Sequence, residues 1–252
     1  MHSRASICAL ILTAIGIAPA SAQTLSVDPK TSLAWWQINP HLGHLWATTC
    51  PQDPSWQPGE SRGAGFVLDR SKRKEVPIIQ VDDPRIPVYP RDGGVTAVCS
   101  EAVTGGIVAT DTIRWTGVRG TITIRTEYFF NGMPMRDLYA RKAVYKTGQY
   151  PEVKFYIDSL VNVRRGDTLH ANAVGTFEFR GVRTPMSVPV VAWHEAGGLR
   201  VQGKFSIPAP ELVSTYGVSK FALGLSLGTH IWKTLHMGFD VVLRRDAGSR
   251  SD

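Results

Sequence analysis

Leu199-Arg-Val-Gln-Gly-Lys-Phe-Ser-Ile207 changes character at every step, apolar or glycine at odd positions and polar at even ones. A period of two sets Leu199, Val201, Phe205 and Ile207 on one face of an extended chain, with Arg200, Gln202, Lys204 and Ser206 on the other. The same beat returns on both sides of this stretch. Downstream it runs through Leu235, Met237, Phe239, Val241 and Leu243. Upstream, Val118, Ile122 and Ile124 alternate with Arg119, Thr121, Thr123 and Arg125; Val153, Phe155 and Ile157 with Lys154, Tyr156 and Asp158; and Phe177 and Phe179 with Glu178 and Arg180. Antiparallel strands read this way when one face is dry and the other wet. Turn signals divide the runs: Asn131-Gly132, Arg165-Gly166-Asp167, Arg180-Gly181 and Gly197-Gly198.

Working outward, Thr24 to Trp46 is also strand-like, with Leu33, Trp35, Trp36 and Ile38 clustered before Pro40. Only two stretches suit helices. Met135 to Lys146 carries Leu138, Ala140, Ala143 and Val144 among charges, and Pro210 to Tyr216 opens on proline and stops at Gly217. Of 252 residues, Val and Thr supply 44 and Glu only eight, a balance that favours pleated structure. The expected fold is all-β: a closed or nearly closed antiparallel barrel of about eight strands with one or two short helices. No longer period recurs, which argues against a solenoid or propeller. With 43% hydrophobic and 19% charged residues the chain is not a disordered one. No apolar run reaches the 18 or so residues of a membrane helix.

The first 22 residues read as a cleaved secretory signal: His2 and Arg4, an apolar stretch from Ile7 to Ile17, then Ala20-Ser21-Ala22 as an A-x-A-type cleavage site. Residues 23–252 then form one domain, and the expected location is the periplasm. Of three cysteines Cys8 leaves with the signal, and in an oxidising compartment the remaining two, Cys50 and Cys99, are expected to pair. Residues 48–112 differ in texture, with Pro51, Pro54, Pro58, Pro77, Pro84, Pro87 and Pro90 and the basic run Arg70-Ser-Lys-Arg-Lys74. Proline this dense excludes central strands, so the range is read as an inserted excursion with a few short edge strands.

Catalytic constellations are thin. Gly224-Leu-Ser226-Leu-Gly228 has the G-x-S-x-G form, but His230 and His236 both precede Asp240, and no βα alternation leads into it. A serine hydrolase is therefore the lesser reading, and no catalytic residue is assigned. His41 with His44, and His230 with His236, offer pairs where a catalytic metal needs about three ligands, so no metal site is assigned. No nucleotide or thiol-redox motif occurs, and no cofactor is implied. The formal charge of +7 does not stripe one element with interleaved aromatics, which argues against nucleic acid. What remains is the dry face: Ile122, Ile124, Phe155, Ile157, Phe177, Phe179, Phe205 and Phe239 either fill a barrel or line one ligand site.

Several stretches resemble the YceI-like family. Ser26-Val-Asp-Pro29 with Thr31-Ser32 and His41-Leu-Gly43 resembles its first strand. Gly132, Arg136-Asp137, Tyr150-Pro151 and Phe155 follow its next pattern. Gly175-Thr-Phe-Glu-Phe-Arg-Gly181-Val-Arg-Thr184-Pro185 resembles its hairpin, and Lys204 to Leu243 its closing segment. The resemblance covers 24–46 and 113–245 and departs from the family at 48–112. It implies an exported, antiparallel lipocalin-like barrel of eight strands holding a long isoprenoid or other amphiphilic lipid, with no catalytic residues. An anionic head group could meet Arg136, Arg141, Lys142 or Arg183 at one mouth. A barrel with a filled interior that binds a protein partner is the alternative, the partner unspecified.

Overall fold

The structure is a computed structural model and describes residues 22–38, 43–49, 65–68, 101–130, 134–195, 197–219 and 234–245. Eleven strands follow one another: β1 (Gln23–Val27), β2 (Leu33–Ile38), β3 (Gly43–Thr48), β4 (Gly65–Leu68), β5 (Val103–Ala109), β6 (Arg119–Arg125), β7 (Glu152–Arg165), β8 (Leu169–Phe179), β9 (Val182–Glu195), β10 (Gly198–Pro208) and β11 (Thr234–Arg245). Eight of them close a barrel in the order β1-β5-β6-β7-β8-β9-β10-β11, every pair antiparallel, with β11 returning to β1. The expected eight-stranded antiparallel barrel is the fold observed. Closure also removes the unpaired edges an open sheet would expose.

The first stave is broken. β1 lies on the end of β11, pairing Val27 with Leu243, while β2 pairs further along it, from Leu33 opposite Asp240 to Ile38 opposite Leu235. Asp28 to Ser32 make the step between them. Asp28 N–H donates to Val242 O at 2.8 Å, Val242 N–H donates to Ser32 Oγ at 3.0 Å, and Arg244 Nε donates to Asp28 Oδ2 at 2.7 Å. From there the sheet forks. β1 continues to β5, and β2 leads to β3 and β4 on a side branch.

The short strand β4 and the stave β5 both fall within 48–112. β4 pairs only with β3 among the described residues, the edge role expected of it. β5 differs: it is bonded to β1 on one side and β6 on the other. The correction is that a complete stave, Val103–Ala109, belongs to the barrel. It is free of proline, and Val103, Ile107 and Ala109 bury an alternating face; in the sequence Gly105 and Gly106 break that beat.

Hairpins join the later staves. At the β8–β9 corner Arg180 and Gly181 both take positive φ, 52° and 75°, as a two-residue turn of matching twist requires. The helical segments fall near the expected places. α1 (Pro134–Tyr139) runs on into a wider π turn over Ala140–Tyr145, ended by Lys146 in a left-handed conformation, and α2 (Ala209–Ser214) follows β10 directly.

One seam of the barrel is incomplete among the described residues. β10 pairs with β9 only over Gly198–Gly203, opposite Val190–Glu195. Beyond Gly203 the two strands part, β10 staying with β11 and Val182–Pro189 of β9 staying with β8. Gly203 stands where they separate, and the Phe239 ring takes the space its side chain would fill, with Phe239 Cζ 2.5 Å from the place of a Cβ. Below it, α2 and the residues after it close the parting. Leu212, Tyr216 and Val218 are buried, and Thr184 Oγ1 lies 2.6 Å from the Tyr216 hydroxyl.

Candidate functional site

The inner face collects the alternating residues. Phe177, Ile122, Phe155, Val153, Met237 and Phe239 are all buried there, with Phe205 and Ile124 half-buried against them. Phe177 is the centre of an aromatic group, its ring 5.1 Å from Phe205, 6.4 Å from Phe179 and 6.1 Å from Tyr216. Edge-on and offset contacts of this kind add to the value of the burial itself.

A void of about 20 Å³ remains between Ala34, Ile122, Ile124, Phe129, Val153, Phe155, Phe177, Phe205, Met237 and Phe239. Trp35, Lys154 and Gly238 complete its lining. That space is about one water's worth, and a dry cavity needs on the order of 150 Å³ to take up benzene. As it stands, this part of the interior is nearly full.

Of the eight interior residues expected from the sequence, six line this void: Ile122, Ile124, Phe155, Phe177, Phe205 and Phe239. Phe179 packs instead beyond Phe177 against Tyr216, with ring centroids 5.6 Å apart. Ile157 packs half-buried on the core away from the void. Val153 and Met237 belong to the alternations already read and were findable by parity. Phe129 was not: it follows a 3₁₀ turn, Thr126–Tyr128, which obeys neither period.

The cations divide. Arg136 is exposed on α1. Arg141 is half-buried on the π turn, its guanidinium 5.3 Å from the centre of the Phe130 ring, and its Nε is buried without a hydrogen-bond partner. Lys142 shares an open concavity with Arg141. Arg183 is committed elsewhere, on the outer face, where its Nε donates to Glu178 Oε2 at 2.6 Å above the Tyr156 ring.

A second polar group lies on the outer face of β10 and β11. Arg200 makes a two-point contact with Asp240 at 2.7 and 2.6 Å, Gln202 Nε2 donates to Asp240 Oδ2 at 3.0 Å, and Trp193 lies under the guanidinium. His236 Nδ1 is 2.8 Å from Ser206 Oγ. These are cross-strand pairs on a largely covered stretch of sheet, with Asp240 and His236 both buried, and among the described residues no group of three His, Cys, Asp or Glu side chains converges on a metal position. Ser226, His230, His41, Cys50 and Cys99 lie outside the described residues, as does the His44 side chain and the signal segment up to Ser21.

With the closed barrel and its dry interior established, comparison with known proteins is informative. Residues 93–243 match the YceI-like domain. The chain belongs to the YceI-like family. The matched range takes in β5, consistent with its place as a stave. Among solved structures, a polyisoprenoid binding domain from Saccharophagus degradans, implicated in plant cell wall breakdown, is similar with a TM-score of 0.54 at 12% identity, over 89% of this chain and 99% of that one. BcnA of Burkholderia cenocepacia gives a TM-score of 0.42 at 15% identity, over 56% and 84% of the two chains. The Campylobacter jejuni YceI protein gives 0.38 at 13%, over 51% and 72%. No curated protein matches the sequence.

Proposed function

We propose that this YceI-like barrel is a periplasmic lipid-binding protein that holds a long-chain isoprenoid or other amphiphilic lipid in its interior, for sequestration or transport. The observation that carries the reading is the lining of the void, apolar at every position except Lys154. The Saccharophagus degradans domain, described as polyisoprenoid-binding, supports it by likeness of fold. The sequence at residues 1–22 supports export. The activity asked of the protein is binding, which needs shape and dryness and no catalytic group.

The small void is reconcilable with a chain by magnitude. Burial is worth about 0.8 kcal/mol per CH₂-sized group, so the five carbons of one isoprene unit contribute roughly 4 kcal/mol. Turning a ring part-way out of its rotamer costs about 0.5–1.5 kcal/mol. One unit therefore offsets the strain of two or three rings, such as Phe177, Phe205 and Phe239, that turn aside while staying buried. Organic extraction of the purified protein followed by mass spectrometry tests the reading. Co-purified isoprenoid, or uptake of added isoprenoid, is expected; neither appearing would overturn it.

A second reading takes the void at face value: a filled barrel that serves as a scaffold for a protein partner. The void of about 20 Å³ favours it. It predicts that isoprenoids leave the thermal midpoint unchanged, whereas a ligand of the folded state raises it.

A further inference from the structure

Where the apolar lining ends at Phe129, cations gather. Phe129 faces the void and sets its ring 5.8 Å from that of Tyr145, the last residue of the π turn. The chain then folds back through Lys146–Tyr150. Gln149 and Tyr150 N–H both donate to Lys146 O at 2.8 Å, and Thr147 N–H donates to Arg141 O at 2.9 Å. This turn and the π turn before it border a shallow, open concavity of about 340 Å³ lined by Arg141, Lys142, Lys146, Thr147, Gly148 and Gln149. Three of the six residues are cationic and none is anionic.

Basic residues are common near a helix C-terminus, where they answer the exposed carbonyls. Here Arg141 O and Lys146 O already accept hydrogen bonds from the turn. Neither Lys142 nor Lys146 forms an ion pair among the described residues. One guanidinium of the lining, Arg141, is also short of an acceptor, its Nε having no hydrogen-bond partner. The chemistry that answers clustered cations without counter-charges is a multivalent oxyanion.

We propose that the concavity between Arg141 and Gln149 binds the phosphate or pyrophosphate head of an amphiphile whose chain passes Phe129 into the barrel. The tail rests on the lipid reading above; the anion site stands without it. Lys142 and Lys146 supply rotatable ammonium donors and Arg141 a planar fork. Gly148 leaves the turn's backbone open to approach, with nothing within 4 Å of where its Cβ would be. A neutral alcohol head finds none of this attraction.

Calorimetric titration of the full-length protein with farnesyl pyrophosphate, farnesol and inorganic pyrophosphate separates the possibilities. Lys142→Glu combined with Lys146→Glu reverses two exposed charges, and Lys142→Gln with Lys146→Gln serves should the reversal unfold the protein. The wild type is expected to bind farnesyl pyrophosphate about tenfold or more tighter than farnesol, a gap of about 1.4 kcal/mol, and the variants to lose that gap with farnesol unchanged. Inorganic pyrophosphate binding that disappears in the variants supports the site as one for a free anion, even where farnesol fails to bind and the lipid reading falls. Pyrophosphate affinities untouched by the substitutions, or absent in the wild type, overturn the proposal.

Discussion

Phe177 shows how much of the core hangs on one side chain. It is 2% exposed and its ring meets Phe205, Phe179 and Tyr216. Phe177→Ala is expected to cost about 3–5 kcal/mol in chemical denaturation, and the cavity it leaves to admit a benzene-sized probe. On the outer face the balance is electrostatic. Arg183 donates to the Glu178 carboxylate, and against the opposing pull of burial this holds its pKa below the ordinary value of 4.5, with the Tyr156 hydroxyl assisting. Because the folded pKa is the lower one, the unfolded chain takes up the proton first as pH falls. The pair's contribution is thus complete above the ordinary carboxylate range and fades below it. Thermal midpoints of the wild type and Glu178→Gln are expected to differ at about pH 7 and to converge towards about pH 3; a gap that widens on acidification would refute the assignment. Parity made the inward phenylalanines readable, since Phe177 and Phe179 share a face by sequence alone. It could not say that Phe179 ends against Tyr216 and not the void, because Tyr216 arrives from beyond α2. The buried Arg180 was equally hidden: its even position reads as outward, and the left-handed turn redirects it.

At the scale of elements, the parting of β9 and β10 is held shut by a short strap. α2 is one and a half turns long, too short to persist alone, and its stability comes from burying Leu212, Tyr216 and Val218. The Thr184–Tyr216 hydroxyl contact of 2.6 Å ties it to β9. Tyr216→Phe removes one partner and leaves the half-buried Thr184 hydroxyl short of it, at a cost of about 1 kcal/mol. Hydrogen exchange should then quicken in α2 and in Val182–Pro189 of β9, while the β10–β11 ladder stays protected. Equal acceleration in both would place the effect elsewhere. The strands themselves were legible because each carries its own period. The seam was not, since Leu199 to Ile207 alternates unbroken across the point where its partner leaves. β5 escaped for the opposite reason: its Gly105 and Gly106 interrupt the alternation, and both are required. Gly105 has φ of 108° and a Cβ there would fall 2.0 Å from Thr121 O.

For the whole molecule, the expected bridge between Cys50 and Cys99 would tie the side branch to the barrel. The residues beside that segment are anchored: Thr49 N–H donates to Ala34 O at 3.0 Å, and Ala102 O accepts from Arg125 N–H at 2.8 Å. A loop of about 50 residues closed this way is worth roughly 4 kcal/mol on the chain-entropy estimate. Alkylation of the denatured, non-reduced protein should label no mature cysteine, and reduction should lower the melting temperature; two labelled thiols would end the idea. The broken first stave has a further meaning, for the order of events when the chain is made. β1 can pair with β5 and β2 with β3 beforehand, but the step between them and its Ser32–Val242 hydrogen bond wait for β11, 210 residues later. Closing that span costs roughly 3 kcal/mol more than closing a ten-residue hairpin. A ribosome or export channel delivering the chain from its N-terminus therefore handles an open sheet until the last strand emerges. Loss of β11 would leave β1 held by β5 alone, β2 by β3 alone and β10 by its short ladder to β9, so the final dozen residues of the barrel decide whether the two pieces of the broken stave are joined.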